Sequence, residues 1–179
     1  MTRYVALLGS INVGGNRLKM ADLKAALEAE GFNRVETVVA SGNVLFDQAS
    51  AADVELGRAI AGLVHRGFGI DTCAVIRSAP DLEEALKESP FAGKREDKLV
   101  HVHFLEEQPA PAAFARLFED HAGRGPEKLA PGTRCLHVDY VSGAGNSKLT
   151  GAFIARRLSC RGTARNVRSI RRIIAKMEK

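Results

Sequence analysis

Apolar positions along the chain alternate between two spacings, and the switches mark out elements. Tyr4 to Leu8 is a short apolar run that reads as a buried strand. The segment from Gly9 through Ile11, Asn12, Val13, Gly14, Gly15, Asn16 and Arg17 reads as a loop, because Gly and Asn dominate it. Met20, Leu23, Ala26 and Leu27 then recur at three and four residues, the spacing of one helical face, and Gly31 closes that run as a cap. Val35 to Ala40 and Val44 to Phe46 predict two strands around Ser41-Gly42-Asn43, a composition that supplies turn conformations at little cost. Ala51 to Phe68, with Ile60, Leu63 and Val64 on one side, predicts a second helix, and Cys73 to Ile76 a further strand. The order β-α-β-β-α-β is that of a ferredoxin-like unit.

The second half starts after a short helix, Asp81 to Lys87, and a linker through Pro90, Gly93 and the charged run Lys94 to Lys98. Leu99 to Leu105 reads as a strand, Ala112 to His121 as a helix, and Lys128 to Ala130 and Cys135 to Val141 as strands. Two basic helices follow Gly145-Asn146. The expected fold is α+β, with two tandem ferredoxin-like (α-β plait) subdomains: residues 1–78, a helix and linker over 79–98, and residues 99–179. The second is read as incomplete, β-α-β-β-α without its last strand, with an extra basic C-terminal helix.

Composition changes this picture mainly through charge. The 179 residues, 45% hydrophobic and 26% charged, exclude disordered and fibrous classes. The formal charge of +5 is unevenly placed. From residue 148 onward ten basic residues face Glu178 alone, a net +9, which leaves −4 for the 16 basic and 20 acidic residues before it. Cys73, Cys135 and Cys160 lack a C-x-x-C spacing, and no apolar stretch approaches the roughly 20 residues of a membrane span. Met1 to Tyr4 runs into a strand-like segment with no small-residue cleavage site. The expectation is a cytoplasmic protein, without disulfides and away from membranes.

Several motifs together carry a resemblance. Ile11-Asn12-Val13-Gly14-Gly15-Asn16, Met20-Ala21-Asp22-Leu23, Gly31-Phe32, Ser41-Gly42-Asn43-Val44, Ser147-Lys148-Leu149 and Thr163-Ala164-Arg165-Asn166 resemble the bacterial family catalogued as domain of unknown function 1697. Where members usually show Arg-Gly this chain has Gly9-Ser10, and where they show Trp it has Val167, which marks a divergent branch. The resemblance implies tandem ferredoxin-like subdomains and implies no activity, cofactor or catalytic residue.

Two loop clusters have the chemistry of an anion site. In the expected topology the first strand ends beside the hairpin turn, placing Asn12, Gly14, Gly15, Asn16 and Arg17 near Ser41 and Asn43. Glycines let backbone N–H groups approach a phosphate closely. Ser147 and Lys148 are expected in the opening of one basic helix, and Arg165, Asn166 and Arg168 in that of the next, where a bound phosphate would offset the cost of a cation at a positive helix end. On the last helix, Val167, Ile170, Ile173, Ile174 and Met177 share one arc, and Arg165, Arg168, Arg172, Lys176 and Lys179 the opposite one.

His101, His103 and His137 are set aside as a metal site, because no acidic or thiolate partner is read at ligand spacing, so neither a metal nor a cofactor is expected. The expected function is non-catalytic binding of a phosphate-bearing anion, either a nucleotide-like metabolite or nucleic acid. The alternatives are a small-molecule enzyme with a pocket between the subdomains, anchored by Asn12, Asn43 and Arg165, and an assembly protein that uses its last helix. Catalysis and oligomeric state are left open.

Overall fold

Short apolar runs can bury their backbone N–H and C=O groups only by pairing them. The described part of this chain does so in two four-stranded antiparallel sheets, with six helices. The structure is a computed structural model, and it describes residues 1–11, 15, 17–38, 42–49 and 53–179. The fold is α+β and divides into two units, Met1–Leu82 with Arg172–Lys179, and Glu83–Arg171. Among the described residues no helix is long and apolar enough to cross a membrane.

The first unit runs β1 (Thr2–Leu8), α1 (Met20–Ala29), β2 (Asn33–Thr37), β3 (Asn43–Gln48), α2 (Asp53–Phe68) and β4 (Ala74–Ser78), with strand order β2-β3-β1-β4. Alternation along the strands sends Ala6, Leu8, Val44 and Phe46 into one core with Leu23 and Leu27 of α1 and Ile60 and Val64 of α2. Each large aliphatic side chain buried there contributes about 1.5 to 3 kcal/mol. Helix α1 ends where Gly31 takes φ +89, a left-handed conformation that favours glycine. Gly57 lets α2 lie close on β4, since a Cβ there would collide with the Ala74 carbonyl oxygen.

The second unit begins within α3 (Ala79–Glu88) and continues through β5 (Val100–Leu105), α4 (Pro111–His121), β6 (Lys128–Gly132), β7 (Cys135–Asp139), α5 (Gly151–Leu158) and β8 (Gly162–Asn166). Its strand order, β6-β7-β5-β8, repeats that of the first unit. Helix α6 (Val167–Met177) closes the chain, with Val167, Ile170 and Ile173 fully buried.

The structure corrects two sequence expectations here. The second unit is not missing its last strand: Gly162–Asn166 is β8, paired antiparallel with β5 from His101↔Asn166 to Leu105↔Gly162. Arg165 therefore lies in a strand and not in the opening of a helix. The sequence Gly-Thr-Ala-Arg-Asn has no apolar alternation, so pairing with β5 makes it a strand, as tertiary context routinely overrides local propensity. Helix α5 also starts later than expected. Thr150 is its N-cap, accepting a hydrogen bond from Phe153 N, so Lys148 precedes the cap and does not sit in the first turn.

Candidate metal centre

The residues expected to bind an anion are placed as follows. Asn12, Gly14, Asn16 and Ser41 lie outside the described residues. Gly15 has φ +91 and Arg17 is exposed. The end of β1 does meet the β2–β3 connection, where Leu8 N–H donates to the Gly42 carbonyl at 2.8 Å. Asn43, however, is buried and spends its amide on the Val38 carbonyl, 3.2 Å away, which shapes the turn.

In the second unit the Ser147 hydroxyl donates to Glu127 and accepts from Leu149 N, so it is engaged within the protein. Arg165 donates to Thr163 Oγ1 at 2.7 Å and to the Ala164 carbonyl at 2.8 Å. Asn166 accepts from Ser169 N at 2.8 Å and so caps α6. Lys148 and Arg168 are exposed.

The histidines of this unit separate onto two faces of its sheet. His137 pairs with Val102 across β5 and β7, and residues directly opposite each other share a face, so His137 lies on the side away from His101 and His103. A site of all three imidazoles is therefore excluded. His103 Nε2 lies 3.1 Å from Tyr140 Oη, and the two rings are buried together. Burial pushes His103 down to about 3, aided by neighbouring His101, and pushes the Tyr140 hydroxyl up to about 12. This is a neutral structural pair.

His137 instead meets two other donors. Cys135 and His137 are two residues apart on β7, so both project from one face, and both are buried to 1% exposure or less. Glu88, the last residue of α3, reaches the same place with its side chain 32% exposed. Cys135 Sγ lies 3.5 Å from His137 Nε2 and 3.6 Å from Glu88 Oε2, and Nε2 lies 3.3 Å from Oε2. The Thr133 backbone N–H, at 2.9 and 3.0 Å, and its hydroxyl, at 2.8 Å, donate to Glu88 and orient it. Burial by itself raises the Glu88 pKa, but the Thr133 hydrogen bonds, with His137, hold it below the usual carboxylate range. Burial lowers that of His137, against the opposing pull of Glu88.

Gly132, the last residue of β6 and paired with Cys135 of β7, makes the convergence possible. A Cβ on it would stand 2.5 Å from Cys135 Sγ, 2.7 Å from His137 Nε2 and 2.9 Å from Glu88 Oε2. That point is nearly equidistant from the three atoms and farther from them than the centre of their triangle. Gly132 thus stands over one face of the triangle, and any larger residue would drive the donors apart.

Three chemistries can use a Cys, a His and a Glu. A nucleophilic triad needs the thiol on one ring nitrogen and the carboxylate on the other. Here both approach Nε2, and the buried Nδ1 has no hydrogen-bond partner among the described residues. A charge-assisted hydrogen-bond cluster would close to about 2.7 to 2.9 Å, shorter than the 3.3 Å between Nε2 and Oε2. Tetrahedral zinc, with bonds near 2.3 Å to sulfur and 2.0 to 2.2 Å to nitrogen and oxygen, sets its donors about 3.3 to 3.6 Å apart. The three observed separations match that spacing. Glu88, Cys135 and His137 are also the group among the described residues whose donor atoms all fall within 4.8 Å of one another.

Sequence reasoning missed this site. The legible signal was Cys135-x-His137, a thiolate and an imidazole at strand spacing, whereas the carboxylate comes from 47 residues before Cys135 and only the fold brings it in.

Comparison with known proteins adds a family and a fold. A family model described as protein of unknown function (DUF1697) matches residues 1–137. Among solved structures the chain is similar to a conserved bacterial protein from Streptococcus pneumoniae, at 23% identity with a TM-score of 0.76, over 100% of this chain and 99% of that one. At that identity the likeness speaks to the fold. No curated protein matches the chain.

Proposed function

The chain belongs to the family described as protein of unknown function (DUF1697), and from that premise we propose that it is a metal-binding protein whose second unit holds one divalent ion of the zinc class. The ligands are Cys135 Sγ, His137 Nε2 and Glu88 Oε2. The observation that carries this reading is the triangle of donors with edges of 3.3, 3.5 and 3.6 Å around a glycine. A thiolate with an imidazole favours zinc, cobalt or another borderline-soft ion over magnesium and calcium, which take oxygen ligands in larger number. The strand order of each unit supports reading the scaffold as two ferredoxin-like sandwiches, in which the β6–β7 hairpin supplies the buried ligands.

The test is zinc titration of the chelator-stripped full chain by calorimetry. One equivalent is expected to bind, with affinity falling at least about a hundredfold in His137→Ala and Cys135→Ser. Glu88→Ala removes a half-exposed ligand with little threat to folding and is expected to weaken binding as well. Undiminished binding in these variants, with circular dichroism unchanged, would rule the site out.

A second reading rests on the charge of the tail. Lys148 and Arg168 are exposed, and they support binding of a phosphate-bearing ligand or nucleic acid from solution rather than in the glycine loops. Retention on immobilised nucleic acid that falls with salt, and falls further in Lys148→Glu, would favour it.

A further inference from the structure

We infer that the ion on Glu88, Cys135 and His137 keeps a fourth, exchangeable coordination position, holding water that small monodentate anions displace. The inference rests on the metal reading and specifies what the site would take up. Zinc completes four ligands, and a site with three protein donors leaves the fourth to solvent or substrate. Among the described residues the cluster comprises three donors. The ten residues outside that set are Asn, Val, Gly, Ala and Ser, so the chain has no further Cys, His, Asp or Glu that could join from there.

The neighbouring oxygens are engaged elsewhere. The Gly132 carbonyl faces Gln108 Nε2 at 3.5 Å, and the Thr133 hydroxyl donates to Glu88 Oε1, while Oε2, which also accepts from Thr133 N at 3.0 Å, is the carboxylate oxygen that lies beside Cys135 and His137. Gly132 covers one face of the donor triangle. Of the three donors Glu88 is the one that reaches solvent, with its side chain 32% exposed, whereas His137 is fully buried. A thiolate and a carboxylate already balance a doubly charged ion. The fourth ligand is thus a water held by a neutral centre, which makes it displaceable.

The experiment is the cobalt(II) form of the full chain, read by visible absorption. One equivalent is expected to give the intense bands of a tetrahedral site with a sulfur-to-metal charge-transfer band, the latter lost in Cys135→Ser. Thiocyanate and azide are then expected to shift the visible bands saturably, with the metal still bound after gel filtration. Tetrahedral bands that stay unchanged at high anion concentration would mean a closed fourth position and overturn this inference while leaving the metal reading standing. An absence of bands at any cobalt concentration would overturn both.

Discussion

The two units share a strand order, but a polar cluster in one is built in the opposite way from a polar cluster in the other. In the first, Arg3 joins Asp47 at 2.9 Å and Glu36 at 2.5 Å, Arg34 meets the other oxygen of Asp47 at 3.0 Å, and Lys176 meets the other oxygen of Glu36 at 3.0 Å. Every carboxylate oxygen there faces a cation of the chain itself. In the second, Glu88, Cys135 and His137 turn lone pairs toward a common centre with no Lys or Arg ion-paired to Glu88 among the described residues. A cluster that brings its own positive charge is a structural network, whereas the proposed zinc site would take its positive charge from solution.

That contrast can be broken most severely at Gly132. Gly132→Ala would place a methyl within 2.9 Å of all three donors, and zinc affinity is expected to fall by more than about a hundredfold. Competition with a chromophoric chelator measures it. Retention of full affinity would mean that the donors do not converge as described.

The network in the first unit is next in size. Asp47→Ala takes from the largely buried Arg3 guanidinium one of its two carboxylate partners, leaving Glu36, and is expected to cost about 2 kcal/mol in urea unfolding. Its pH dependence sharpens the difference. Burial by itself raises the Asp47 pKa, but the hydrogen bond and charge of Arg3, with Arg34, hold it below its ordinary 3.8. The folded state therefore binds fewer protons than the unfolded one, so this contribution is complete above about pH 4 to 5 and is lost as pH falls through the lowered folded value. Asp47→Ala should show a shallower acid limb than the parent protein.

The smallest effect belongs to the rim of that network. Lys176→Ala removes a pair whose side chains are 41% and 37% exposed, and it is expected to cost less than about 1 kcal/mol, vanishing in high salt. A larger, salt-independent loss would mean that the rim holds as tightly as the centre of the network.

These particulars show where sequence reading worked and where it stopped. The apolar spacing of Met20, Leu23 and Leu27, and of Ile60, Leu63 and Val64, located α1 and α2 because a packed helical face leaves a periodic record. Strand β8 left none, since its five residues are all half-buried and polar or small, and its identity comes from β5 beside it. The Cys135-x-His137 pair was readable by spacing. Its meaning was not, because Glu88 reaches it only once α3 is folded against the β6–β7 hairpin of the same unit. The residues of the expected anion loops are a different case. Asn43, Ser147, Arg165 and Asn166 have the right chemistry, but in the fold each satisfies a neighbouring group of the protein.

Strand β6 has one more consequence. It lies at the border of its sheet, and an open border of N–H and C=O groups is a template on which other chains can polymerise. Pro131, next to Gly132, offers no N–H to an incoming strand, and β2 at the border of the other sheet is broken by a register shift beside Arg34 and Glu36. The segments that assemble the two polar clusters are thus also the ones that deny amyloid-like growth a foothold, so variants chosen to weaken either cluster should be watched for loss of solubility as well as of binding.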